Sequence, residues 1–137
     1  MVTPQSRRGR ALVIDHGEML VKSLCRGLRR DCDAIGTVDV EAAWSLLSSS
    51  ERFDIVFCHL GMPGCSSLAL FDRVRTLEAG IGASFVFLSG NPHHPRYRSF
   101  LAGIENQCLP KPTPLQTLRD MVQIRRSAAL AVVAKVP

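Results

Sequence analysis

A chain of 137 residues, 46% hydrophobic and 21% charged, has the size and make-up of one ordinary folded domain. Two large domains do not fit in it, and at this length roughly two-thirds of the unfolded surface can be buried without disulfides or a structural metal. The formal net charge of +5 comes from basic residues scattered along the chain rather than gathered on a groove-reading helix, which argues against a nucleic-acid partner.

The first element is expected at residues 11–14 (ALVI), a short continuous apolar run of the kind buried on both faces in a parallel sheet. Leu20, Leu24 and Leu28 then recur at four-residue spacing, as on one face of a helix. Residues 34–38 read as a weaker, more polar edge strand, and Ala43, Trp44 and Leu47 as a second helix. Residues 55–58 (IVFC) form another buried strand, followed by a helix carrying Leu70, Val74 and Leu77. Residues 85–88 (FVFL) repeat the strand pattern, residues 95–103 read as a short helix with Tyr97, Phe100 and Leu101, and residues 107–109 as a last short strand. Leu115, Leu118 and Val122 mark the final helix.

The order is therefore (βα)5. Such alternation predicts an α/β, doubly wound, five-stranded parallel sheet, because parallel neighbours need right-handed crossovers that place helices on both faces. Sites in these sheets lie at the carboxyl ends of the strands. The residues there are Asp15, His16, His59, Ser89 and Lys111, and all five are expected to converge on one crevice.

The longest apolar runs, residues 85–88 and 128–134, fall well short of the roughly 18 residues of a bilayer span. The amino terminus, MVTPQSRRGR, is charged but lacks the long apolar stretch and cleavage pattern of a secretory signal. Cys25, Cys32, Cys58, Cys65 and Cys108 make an odd count without a C-x-x-C pair, which suits reduced thiols and a cytoplasmic location.

From about Arg10 to about Ile124 the chain resembles a response-regulator receiver domain of two-component signalling. The segments ALVIDHGE, FDIVFCHLGMPG, FVFLSG and CLPKP follow that family's strand-end pattern, with its M-P-G turn and L-P-K-P segment in the same strand order. The resemblance implies a flavodoxin-like sandwich with strand order 2-1-3-4-5, a receiver at 10–126, an N-terminal tail at 1–9 and a C-terminal tail at 127–137. It also implies roles. Asp15 matches the first of an acidic pair, Ser89 the hydroxyl that holds a phosphoryl oxygen, and Lys111 the basic contact to it. The peptide between Lys111 and Pro112 is expected to be cis, X-Pro being the common place for one.

Three positions depart from the pattern. His16 stands where the second acid would touch Mg²⁺, His59 where an Asp would accept phosphate, and Cys108 where Tyr or Phe would report phosphorylation. An ordinary receiver pocket sums to minus two; this one, with Asp15, Lys111 and neutral imidazoles, sums to zero. Mg²⁺ prefers hard oxygen ligands and is poorly served by imidazole. Little Mg²⁺ affinity is expected, and without an acyl oxygen at His59 aspartyl phosphate cannot form there.

Three readings follow. In the first the chain is a degenerate pseudo-receiver, a binding module in a phosphorelay, with no cofactor and with the histidines as fillers that hydrogen-bond Asp15 or a backbone carbonyl. In the second, Asp15, His16 and His59 hold Zn²⁺, Fe²⁺ or Ni²⁺. In the third, a residue other than Asp is phosphorylated, with the His59 ring nitrogen as nucleophile. The implied partner is a protein, either a sensor histidine kinase or an output protein. It would dock on the first helix or on the face made by the fourth helix, fifth strand and fifth helix of the family, where Arg96, Arg98, Arg119, Arg125 and Arg126 would add positive charge; a weak homodimer is the other association considered. No enzymatic activity is expected, since no G-x-x-x-x-G-K loop is present. Output domains are likewise not expected, whether the module stands alone or ends a hybrid kinase. His93 and His94 read as solvated, Cys58 and Cys108 as packing rather than redox sensors, and Trp44 as core.

Overall fold

The computed structural model describes residues 8–134. Five parallel strands, β1 (Gly9–Ile14), β2 (Cys32–Thr37), β3 (Ile55–His59), β4 (Phe85–Ser89) and β5 (Cys108–Pro110), form one sheet in the order β2-β1-β3-β4-β5. Between and after them run α1 (Glu18–Leu28), α2 (Val40–Leu47), α3 (Ser66–Val74), α4 (Ala79–Ala83), α5 (Pro95–Ala102) and α6 (Leu115–Ala134). Among the described residues no helix is long and apolar enough to cross a membrane.

The two-residue period of the strands sorts the core into two layers. Ala11, Val13, Ile55, Phe57, Val86 and Leu88 face α1 and α6 through Val21, Cys25, Leu28, Leu118 and Val122. Leu12, Ile14, Val56, Cys58, Phe85 and Phe87 face the opposite way, against α2 and α3 through Ala43, Leu47, Leu70, Phe71 and Val74. Phe71 anchors that second layer, meeting Phe87 and Phe100 edge-on at ring-centroid distances of 5.3 and 5.6 Å.

Several boundaries differ from those the sequence predicts. β2 begins at Cys32 and stops at Thr37, leaving Val38 exposed, because the side chains that alternate inward on this edge strand are Cys32 and Ala34. The Arg8 guanidinium fixes that start by donating to the Cys32 carbonyl at 2.8 Å. β1 starts two residues early at Gly9, and β5 ends at Pro110. The buried face of α1 is Val21, Cys25 and Leu28 rather than the Leu20, Leu24 and Leu28 row, and Leu20 is 37% exposed. α3 ends at Val74, so Leu77 lies beyond it and is exposed. α4 was not expected from AGIGA, whose two glycines weaken a helix; Asn106 holds its end by donating to the Gly82 and Phe85 carbonyls, each at 2.9 Å. α6, marked in the sequence by Leu115, Leu118 and Val122, runs from Leu115 to Ala134.

Candidate functional site

The carboxyl ends of β1, β3, β4 and β5 meet, and four of the five expected side chains come into direct contact there. Asp15 follows β1 and is 3% exposed; its backbone N–H donates to the Thr37 carbonyl, which keeps the residue in the line of the sheet. Its Oδ1 accepts the N–H of Gly17 at 3.0 Å, a turn that folds the chain back at once. The bend brings the neighbouring His16 round, so that its Nδ1 lies 3.5 Å from Asp15 Oδ1 while the ring stays half exposed.

His59 is the last residue of β3 and lies under that bend, 9% exposed. Its ring stacks on His16 with centroids 4.9 Å apart and planes 29° from parallel. Gly61 makes room for this ring, since a Cβ there would stand 2.7 Å from His59 Nε2. The loop beyond is fixed at two points. Gly64 takes φ 68°, a left-handed conformation that favours glycine in the M-P-G turn. The buried Ser67 hydroxyl donates to the Leu60 carbonyl at 3.1 Å. Neither Gly61 nor Ser67 was singled out from the sequence; a glycine two residues past the strand-end histidine was the available signal for the first, and a hydroxyl on an otherwise apolar helix face for the second.

Lys111 enters from the far side. The peptide joining it to Pro112 is cis. Its backbone N–H donates to the Ser89 carbonyl at 2.9 Å, and its Nζ donates to Asp15 Oδ2 at 2.7 Å. The same ammonium lies 3.3 Å from His59 Nδ1. An ammonium can only donate, so this contact is a hydrogen bond in the tautomer whose Nδ1 accepts. Ser89, the fifth expected residue, is buried beside the cluster, but its Oγ accepts the Asn91 N–H at 3.0 Å and serves its own loop.

The electrostatics agree with this geometry. Burial disfavours ionisation of Asp15, but the Lys111 hydrogen bond, the Gly17 N–H and the nearby positive charge outweigh it and hold its pKa below the ordinary value. Burial is also the main influence on His59 and pushes its pKa down, with Lys111 adding to the effect and Asp15 opposing it. The imidazole is therefore kept neutral beside a closed Asp15–Lys111 pair. Burial raises the thiols of Cys58 and Cys108, which makes both poor nucleophiles.

The donor set does not fit Mg²⁺. One carboxylate is present, its Oδ2 is taken by Lys111 and its Oδ1 by Gly17, and the other two groups are imidazoles. Asp15, His16 and His59 nevertheless each offer a ligand atom, all within 4.8 Å of one another. Outside the cluster, Arg119 pairs with Asp31 at 2.7 Å, near the end of α1. Trp44 is partly buried against the core and carries the Arg73 guanidinium over its ring at 4.0 Å.

No protein-family model and no curated protein sequence matches the chain. Solved structures do. A receiver domain of a Francisella response regulator superposes with a TM-score of 0.72 at 18% identity, covering 88% of this chain and 98% of that one. A response regulator from Burkholderia pseudomallei, solved with a phosphorylated aspartic acid, calcium ion and citrate, gives 0.69 at 24%, covering 92% and 73%. A protein described as an adenylate cyclase from Rhodopirellula baltica gives 0.72 at 18%, covering 93% and 94%. With five parallel strands in the order 2-1-3-4-5 and helices on both faces, this chain has the CheY-like fold of response-regulator receiver domains.

Proposed function

We propose that this chain is a pseudo-receiver: a protein-interaction module of a phosphorelay that keeps the receiver scaffold and does not take phosphate as its input. The observation that carries the reading is the contact of Lys111 with Asp15 at 2.7 Å and with His59 at 3.3 Å. In a phosphate-accepting pocket the ammonium must be available to the incoming phosphoryl oxygens, and a metal must screen their charge. Here the ammonium is spent on the sole carboxylate of the cluster and on a neutral imidazole, and the pocket sums to zero. Burying that charge pair costs less than leaving either ion alone. The arrangement therefore leaves no uncommitted cation for an incoming phosphoryl group.

The partner is a protein, a sensor histidine kinase or an output protein, and the α1 side suits it better than the α5 side. Leu20, Leu24, Leu88, Pro112 and Leu118 line a mostly apolar groove of about 290 Å³ beside Lys111. Met19, 79% exposed, and Leu115, 37% exposed, stand on the same two helices. Side chains of this kind supply the apolar centre of an interface. The module acts by binding rather than catalysis, and the cyclase likeness, at 18% identity, speaks only to the fold.

The test is a titration with Mg²⁺ and beryllofluoride, followed by the amide resonances of Gly61, Ser89 and Lys111. The reading expects no saturable shift at these three positions. A saturating shift at all three would overturn it.

A further inference from the structure

The Lys111 ammonium marks the place in this cluster where a cation is stabilised, since it lies between Asp15 Oδ2 and His59 Nδ1. Those two atoms are 3.9 Å apart, and His16 Nδ1 lies 3.5 Å from the other oxygen of Asp15. Two imidazoles and one carboxylate are a donor set suited to Zn²⁺ and its neighbours, not to Mg²⁺. Metal–ligand bonds of about 2.0–2.2 Å in a tetrahedron put donors roughly 3.3–3.6 Å apart. The three ligand atoms already lie within 4.8 Å of one another, so the approach still needed is small.

The parts that must move are the ones free to do so. His16 has 54% of its side chain exposed and gives the cluster a solvent entrance. Lys111 has 22% exposed and sits on a four-carbon stem that can swing out. Asp15 and His59 are held, the first by the Gly17 N–H, the second by burial at the end of β3.

We propose that Asp15, His16 and His59 form a transition-metal site of the Zn²⁺ class, in which Lys111 is a tethered cation that holds the position until the metal displaces it. The proposal deepens the pseudo-receiver reading, on which it rests: a metal, not a phosphoryl group, is the input to the pocket. Exchange of the ammonium for a divalent ion raises the local charge and releases Lys111, which lines the apolar groove beside α1. Metal uptake is thereby tied to the surface assigned to the partner. The fourth coordination position, toward His16 and solvent, is left for water or for a carboxylate of that partner.

The experiment is a Zn²⁺ titration of the tag-free, chelator-stripped full chain in competition with a chromophoric chelator, with Co²⁺ absorption as the report on geometry. One equivalent is expected to bind. His16→Asn and His59→Asn each weaken binding by about tenfold or more, His93→Asn with His94→Asn leaves it unchanged, and Lys111→Met tightens it. Because His16 is half exposed, His16→Asn remains decisive should His59→Asn fail to fold. Absence of one-to-one uptake, uptake indifferent to His16→Asn, or weaker uptake in Lys111→Met would overturn the proposal. Any of these results, with the Mg²⁺ and beryllofluoride titration still flat, removes the metal site and leaves the pseudo-receiver reading standing.

Discussion

Lys111 Nζ lies 2.7 Å from Asp15 Oδ2 across 96 residues of sequence, with the carboxylate side chain 4% exposed and the ammonium 22%. The contact ties β5 to β1, two strands that do not pair in the sheet. Replacing Asp15 by Asn leaves a part-buried ammonium with a weaker partner. A loss of about 1–3 kcal/mol in urea unfolding is expected, below the 3–5 kcal/mol of a fully buried pair because Lys111 still reaches solvent. The pKa of Asp15 is depressed in the folded state. Its stabilising contribution is therefore complete above the unfolded value near 3.8, and it is lost as pH falls through the folded value. Asp15→Asn should show a flatter acid limb than the parent.

His59 gives a second and separate pH window. Its folded-state pKa lies below the model-peptide value of 6.5 because burial disfavours the imidazolium. Below 6.5 the unfolded chain takes up the proton first, so stability falls with pH and levels off only beneath the folded pKa. The urea midpoint of the parent should drop between about pH 7.5 and about pH 5.5, and His59→Gln should reduce that drop. An equal drop in both proteins would show that His59 is not held neutral.

Gly61→Ala tests the packing of the cluster directly. The added Cβ would lie 2.7 Å from His59 Nε2, so the ring must turn and leave Lys111 or His16. A cost of about 1–3 kcal/mol is expected from overpacking, together with shifted His59 ring resonances. Unchanged resonances would mean that the ring does not occupy the space above Gly61.

The charge argument can be reversed by substitution. His16→Asp together with His59→Asp brings the pocket from zero to minus two and replaces two imidazoles with hard oxygen ligands. Calorimetry should show saturable Mg²⁺ binding to the double variant and none to the parent. Equal binding by both would refute the charge argument.

The fold was legible because three of the strands, β1, β3 and β4, are continuous apolar runs, and a buried parallel sheet leaves few alternatives. Where burial is partial, apolar spacing alone does not set the element's limits or its buried face. On the edge strand β2 the alternation of Cys32 and Ala34, not the apolar Val38, sets the boundaries. On α1 the leucine spacing marks the helix, but of that row only Leu28 is fully buried, while Leu20 and Leu24 line the groove. α4 is held by Asn106 from another loop, a contact that local propensity does not contain. The five site residues could be named from strand ends alone. Their bonding could not: the 3.3 Å contact of Lys111 with His59 and the stacking of His16 on His59 depend on the bend after Asp15 and on Gly61.

The central claim, that this pocket does not receive phosphate, is tested most directly by the intact mass of the full chain after incubation with acetyl phosphate and Mg²⁺, with the His16→Asp, His59→Asp variant alongside. The account predicts an unmodified parent and a variant heavier by one phosphoryl group. A parent that gains a phosphoryl group on any residue of the Asp15, His16, His59, Ser89 and Lys111 cluster would contradict it.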